Sequence, residues 1–223
     1  MLKTILAFDT SMSSCSVSLL HNNNIYNFTK VCHKNHTKYI LPMIKKILKI
    51  NNISLNAIDI VAISKGPGYF SGIRIAISVA QGISLGLNLS SIIALSTILI
   101  MAEEVWNVYK ISQVIAIINV NKNNIYIVKY VRNIHGLWIK LSKETILHVV
   151  HITKNTFPKG KTWALIGNGW NVLSKNILKE LFITNIISPN SKYLISLILS
   201  NIYYQKTTFL HEITPRYLHE RTL

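Results

Sequence analysis

Lys65-Gly66-Pro67-Gly68-Tyr69-Phe70-Ser71-Gly72-Ile73-Arg74 joins an apolar run, Asp59 to Ser64, to a stretch of helical character, Gly72 to Leu87. A loop of this kind, between a buried strand and a helix, can set backbone N–H groups against an anion, because glycine permits positive φ and close approach. It also serves as a tight connection with no ligand. The spacing does not match the GxxxxGK[ST] of a P-loop, and Ser71 stands one place off a GxSxG nucleophile elbow, so neither enzyme reading holds.

Before this loop, Thr4 to Phe8 is a nearly continuous apolar run that ends at Asp9 and a polar turn, Thr10 to Ser14. Cys15 to Leu20 alternates serine with Val17 and Leu19, and Ile25 to Val31 follows a turn at His21 to Asn24, so two successive hairpins are predicted. Ile40, Leu41, Ile44, Ile47 and Leu48 recur at helical spacing with Lys38, Lys45, Lys46 and Lys49 opposite, which marks an amphipathic helix over Thr37 to Lys49 with Pro42 early in it. After the loop and its helix come a short strand, Ile92 to Leu95, and a third helix reaching Trp106, with Ser96 as its N-cap.

The pattern then restarts. Gln113 to Val120, Asn124 to Arg132 and Leu137 to Leu141 read as strands, Thr145 to Thr156 as a helix, Thr162 to Ile166 as a strand before Gly167-Asn168-Gly169, and Ser191 to Gln205 as a last helix. A duplicated βββαβα unit implies a two-lobed α/β protein with helices packed on a mixed sheet in each lobe. The expected division is an N-terminal lobe over 1–106, with the helix near 191–205 crossing back to it, a smaller lobe over 107–190, and a tail over 206–223.

The chain has 223 residues, 49% of them apolar, and a formal charge of +16. Disorder is excluded, and the charge invites a nucleic-acid partner. Only Arg74, Arg132, Arg216 and Arg221 among the 24 cations are arginine, however, so a Lys-rich solvated surface accounts for the charge equally well. Cys15 and Cys32 form no CxxC pair and read as reduced thiols of a cytoplasmic protein. Polar interruptions between Ile73 and Met101 rule out a transmembrane reading of that stretch.

The acidic residues are few: Asp9, Asp59, Glu103, Glu104, Glu144, Glu180, Glu212 and Glu220. Adjacent Glu103 and Glu104 diverge on a helix, so no convergent carboxylate pair for acid/base or Mg²⁺ chemistry is visible. Asp9 with Thr10 and Ser11, at a strand end, is the candidate for meeting a phosphate, together with Gly66 and Gly68; Asp9 alone also suits a turn cap. The HxxH pairs His33/His36 and His148/His151 lack an HExxH context and read as chance spacing. On the helix after the loop, Gly72, Ala76, Ala80, Gly82 and Gly86 present small side chains, and each helical glycine costs about 1 kcal/mol relative to alanine, which calls for a packing reason inside the chain or against a partner.

Ile5-Leu6-Ala7-Phe8-Asp9-Thr10-Ser11, Cys15 to Leu19, His36-Thr37 to Leu41-Pro42, and above all Gly66 to Ala76 running into Ala80-Gln81-Gly82 resemble the TsaB (YeaZ-like) family. The resemblance is strong over about residues 2 to 105 and returns weakly at Pro215-Arg216-Tyr217-Leu218. It implies an actin-like (ASKHA, ribonuclease H-like) fold and a noncatalytic paralogue of TsaD, the transferase that places threonylcarbamoyl on adenosine 37 of tRNAs reading codons that begin with A. The implied partners are TsaD, TsaE through the complex, and tRNA, with a homodimer when TsaD is absent and no membrane.

The partner contacts implied are Ile40, Leu41 and Ile44 of one helix and Gly72, Ile75, Ala76, Val79, Gly82, Ile83 and Gly86 of the next. No metal and no cofactor are implied beyond residual ATP or ADP at the partner interface or cleft. Where the transferase has an HxxxH helix motif this chain has Ser96 to Ala102 without histidine, and Ile118-Asn119-Val120-Asn121 replaces an Ile-Asp-Ala-Arg-like turn. The competing readings are a metal-dependent carbamoyltransferase or glycoprotease-like enzyme of the same superfamily, and a basic tRNA-binding module.

Overall fold

Leu6 and Phe8 point to one side of the first strand and Ile5 and Ala7 to the other, and all four are buried, so this strand is central to a sheet covered on both faces. The computed structural model describes residues 3–33, 35–153, 156–158, 162–200 and 207–217. The chain divides into two compact units, one from Met1–Glu103 and Pro189–Tyr217, the other centred on Glu104–Ser188.

The first unit holds β1 (Ile5–Asp9), β2 (Ser14–His21), β3 (Asn24–Val31), α1 (His36–Ile50), β4 (Ile60–Ser64), α2 (Phe70–Gly86), β5 (Ser91–Leu95) and the start of α3 (Thr97–Tyr109). Strand β1 is antiparallel to β2 and parallel to β4, which is parallel to β5. Between β2 and β3, Asn22 and Asn23 take positive φ of 47° and 66°, the conformation that a two-residue hairpin turn requires and that asparagine tolerates.

Leu6, Phe8, Val17 and Leu19 meet Ile40, Ile44 and Ile47 of α1 and Ile73, Ala76, Ile77 and Ala80 of α2 in one core. Helix α5 (Ser191–Leu199) packs on β1 and β2 through their other residues, with Ser191 Oγ 2.8 Å from Ser16 Oγ and 2.7 Å from Ser18 Oγ. The predicted extension of this last helix to Gln205 falls on residues 201–206, which lie outside the described residues. Within the segment read as a tail, Thr207–Phe209 forms a strand antiparallel to β5 at the sheet edge.

The second unit repeats the plan with β6 (Gln113–Asn119), β7 (Asn124–Arg132), β8 (Trp138–Lys140), β9 (Thr145–His148), β10 (Trp163–Ile166), the single-turn α4 (Lys175–Leu178) and β11 (Phe182–Ile183), and the edge strand Thr207–Phe209 of the first unit completes the count as β12. Its sheet order, β11-β10-β6-β7-β8, mirrors the β5-β4-β1-β2-β3 order of the first unit. This duplication is the actin-like, ribonuclease H-like plan.

The helix predicted over Thr145 to Thr156 is not formed. Thr145–His148 pairs instead with Asn124–Ile127 of β7, and only a 3₁₀ turn, Val149–His151, follows. Unpaired edge groups on β7 favour a strand here over one amphipathic turn, and a short apolar run does not distinguish the two by periodicity. Ser96 does precede α3, but its buried hydroxyl has no hydrogen-bond partner among the described residues, and the Thr97 N–H donates to Gly66 O at 2.9 Å.

Candidate functional site: an open helical face and a closed strand-end cluster

Helix α1 places its apolar stripe on the sheet. Ile40 is 1% exposed and Ile44 4%, so both belong to this chain's own core and neither offers surface to a partner, contrary to the expectation from sequence. Gly72 and Ala76 of α2 are buried in the same way, and a Cβ on Gly72 would collide with the Thr10 carbonyl oxygen, so that glycine exists for close backbone approach inside the chain.

The remaining expected contacts face outward. Leu41 is 55% exposed, and Ile75, Val79 and Ile83 are half-buried along one stripe of α2. Gly82 and Gly86 lie on that stripe, and a Cβ built on either meets nothing within 4 Å. Their smallness serves no packing within the described residues. Helix α1 lies beside α2 over the same face of the sheet, so Leu41 and the α2 stripe belong to neighbouring outer surfaces.

The expected phosphate cradle is assembled but closed. Asp9, Thr10 and Ser11 are all fully buried. Asp9 accepts from Ser11 Oγ at 2.7 Å, from Ser11 N at 3.2 Å, and from Ser64 Oγ. Thr97 Oγ1 donates to Ser11 Oγ at 3.2 Å, which ties the start of α3 into the cluster, and Thr10 Oγ1 donates to Gly72 O at 2.7 Å. A Cβ on Gly68 would strike the Ser11 carbonyl, and one on Gly66, at φ +99°, the Arg216 carbonyl.

The loop glycines therefore let backbone pack on backbone, and the groups that would meet a phosphate already hold one another. Burial pushes the Asp9 carboxyl up to about 6, against the opposing effect of its hydrogen bonds from Ser64 and Ser11.

Ser64 and Thr97 were not singled out from sequence, since they reach the cluster from 55 and 86 residues away. The C-terminal segment is a further addition. Arg216 N donates to Lys65 O at 2.7 Å, the Tyr217 ring stacks on Phe70 at 4.8 Å, and Arg74 Nε donates to Tyr217 Oη at 2.7 Å while its guanidinium lies 3.9 Å from the Phe70 ring centroid. The sequence signal for this strap was the Pro215-Arg216-Tyr217 stretch; its place against the loop was not readable.

In the second unit Asn119 ends β6 as Asp9 ends β1. Its N–H donates to Asn168 Oδ1 and its side-chain amide to Asn168 O, each at 3.0 Å. The histidine pairs stay apart in role: His36 Nε2 is bonded to Met12 O at 2.7 Å, and the His148 and His151 rings contact edge to face. Among the described residues no three His, Cys, Asp or Glu side chains converge as a metal site, and no helix is long and apolar enough to cross a membrane. Cys15 and Cys32 are free and buried, and burial pushes both thiols up.

A family model described as TsaD, tRNA N6-adenosine threonylcarbamoyltransferase, matches residues 24–196. The tRNA threonylcarbamoyladenosine biosynthesis protein TsaB of Buchnera aphidicola subsp. Baizongia pistaciae is 63% identical over 221 residues, spanning 99% of this chain and 100% of that protein. The chain belongs to the TsaB (YeaZ-like) family. TsaB of Buchnera aphidicola subsp. Schizaphis graminum is 37% identical across 88% of this chain and 93% of its own. The solved structure of YeaZ from Pseudomonas aeruginosa superposes with a TM-score of 0.82 at 27% identity, covering 96% of this chain and 100% of that one. Full-length kinship to TsaB proteins alongside a match to the transferase model fits a paralogue of the transferase. The family is one of tRNA threonylcarbamoyladenosine biosynthesis proteins.

Proposed function

We propose that this chain is a noncatalytic scaffold subunit of tRNA threonylcarbamoyladenosine biosynthesis. It docks TsaD through the outer stripe of α2 and the adjoining face of α1, and with TsaD brings in TsaE for N6-threonylcarbamoylation of adenosine 37. The observation that carries the reading is the pair Gly82 and Gly86, which stand open among Ile75, Val79 and Ile83. Gly82, inside the helix, costs about 1 kcal/mol relative to alanine, Gly86 ends it, and nothing in the described chain packs into the space they leave. A second helix lying in that notch gives the glycines a purpose.

The noncatalytic part is supported by the occupied state of the polar groups. Asp9, Ser11 and Ser64 are fully buried and bonded to one another, away from any substrate, and the two thiols are held protonated by burial. In this reading the chain needs no cofactor of its own, and any ATP or ADP belongs at the joint with TsaD. Threonylcarbamoyl transfer measured with this chain alone, with its cognate TsaD and TsaE, and with all three components tests it. Turnover is expected only where TsaD is present and to rise when this chain is added; product from the isolated chain would overturn it.

A further inference from the structure

Phe70 is 56% exposed, the most open Phe, Tyr or Trp ring among the described residues, yet it is held in place. The Tyr217 ring stacks 4.8 Å from it, and the Arg74 guanidinium, bonded to Tyr217 Oη, lies 3.9 Å from its centroid. Arg74 is also only 5.6 Å from the Tyr217 ring, so the two supports do not clasp Phe70 from opposite faces, and one face of the ring is left open to solvent. Tyr69, 38% exposed, precedes it, and Lys65 and Arg216 meet at the same loop through the bond from Arg216 N to Lys65 O. Phe70, Arg74 and Gln81, whose side-chain amide donates to Leu210 O at 2.9 Å, share the flank of α2 that meets the C-terminal strap; Ile75, Val79 and Ile83 lie on another side of the helix.

We propose that the open face of Phe70 is a stacking platform for an unpaired base of single-stranded RNA, with Arg74, Lys65 and Arg216 as the cations for the adjoining phosphates. A splayed-out base has a bare π-face to lay on a ring, whereas a base inside a duplex is already covered by its neighbours. Arginine use points the same way. Only four of the 24 cations are arginine, and two of those, from distant parts of the sequence, come to this one loop, where a guanidinium can stack on rings and fork to phosphate as an ammonium cannot. No carboxylate opposes a phosphate there: the first turn of α2 carries none, Asp9 is fully buried, and Glu212 of the strap lies 3.9 Å from His211. Apart from Tyr69, the exposed residues flanking the ring are Ser71 and Thr214, so no aliphatic stripe extends the surface as a docked helix would require. The platform is independent of the notch at Gly82 and of whether TsaD docks there.

The test measures binding of the full chain to a fluorescein-labelled unstructured RNA of about ten nucleotides, to an RNA duplex of the same length, to adenosine monophosphate and to the cognate TsaD. The variants are Phe70→Leu, which keeps apolar bulk but removes the ring face, and Phe70→Trp, which restores one; circular dichroism and thermal melts check their folding. At about 200 mM NaCl the wild type should prefer the single strand to the duplex. Phe70→Leu should weaken single-strand binding by about tenfold, while Phe70→Trp binds as tightly as wild type or better. The loss in Phe70→Leu should be the same at about 50 mM and 200 mM NaCl, because stacking is not screened, whereas Lys65→Gln should flatten the salt dependence.

A Phe70→Leu variant with wild-type affinity for the single strand would overturn the platform. So would a Phe70→Trp variant that binds no better than Phe70→Leu, or a duplex that binds as tightly as the single strand and is weakened equally by Phe70→Leu. Adenosine monophosphate bound as tightly as the RNA would overturn it in favour of a free nucleotide. Loss of TsaD affinity in Phe70→Leu with RNA affinity unchanged would overturn it in favour of a protein contact.

Discussion

Replacing Gly82 should move stability and binding in opposite directions. Gly82 lies inside α2, and a Cβ there meets no atom within 4 Å, so Gly82→Ala recovers about 1 kcal/mol of helix propensity with no clash. For a chain of this size that corresponds to a rise in Tm of about 2–4 °C. Gly82→Leu keeps most of this gain in the free chain but fills the notch between Val79 and Gly86. If a partner helix sits there, the overpacking costs about 1–3 kcal/mol, a weakening of roughly five- to 150-fold in Kd.

Thermal melts of the isolated chain and calorimetric titration with TsaD read the two effects separately. Gly82→Leu that melts at or above the wild-type temperature and binds TsaD with wild-type affinity would refute the proposed notch. A fall in Tm for Gly82→Ala would refute the claim that the position is open.

Gly72→Ala is the contrasting case: its Cβ would collide with the Thr10 carbonyl, and a urea titration should show a loss of more than about 3 kcal/mol. The Asp9 carboxyl is raised in the folded state from 3.8 to about 6, so the folded form holds the proton more tightly between those values. Its contribution to stability therefore falls as pH rises through that window and stays low above it. The urea stability of wild type relative to Asp9→Asn should decline by about 2 kcal/mol between pH 4 and 7, and a flat difference would contradict the assignment. Cys15 and Cys32 should resist a thiol reagent in the native chain and react in denaturant; rapid native labelling would contradict their burial.

Much of the first unit was legible because its patterns are long. The alternation in Cys15 to Leu20 and the lysine-opposed stripe of α1 each give one periodicity over enough residues to exclude the other. The same stripe misled the site assignment at Ile40 and Ile44, since the apolar side of an amphipathic helix goes first to the chain's own sheet. Leu41, read as part of that stripe, stands 55% exposed instead, because it falls at the edge of the buried side of α1. The Thr145–His148 segment was misread because Ile146, Leu147, Val149 and Val150 suit one helical turn as well as a strand, and only the free edge of β7 decides between them. Long-range polar partners such as Ser64 and Thr97 leave no local trace at all.

The two units handle the same topological position with different chemistry, fully buried at the end of β1 and half-buried at the end of β6. At the end of β1 a carboxylate gathers hydroxyl donors from its own turn and from the end of β4; at the end of β6 an amide is paired with the amide of Asn168 in the loop after β10. Glycines beside each cluster, Gly68 and Gly72 in one and Gly167 and Gly169 in the other, bring the following loop so close that a Cβ would strike the strand-end backbone or, at Gly169, the Ile117 side chain. A polar group buried and satisfied in this way stabilises the connection, because breaking it would strand a donor or acceptor out of water. It is poorly placed for chemistry for the same reason: a general base or phosphate ligand must keep a lone pair or N–H facing the substrate.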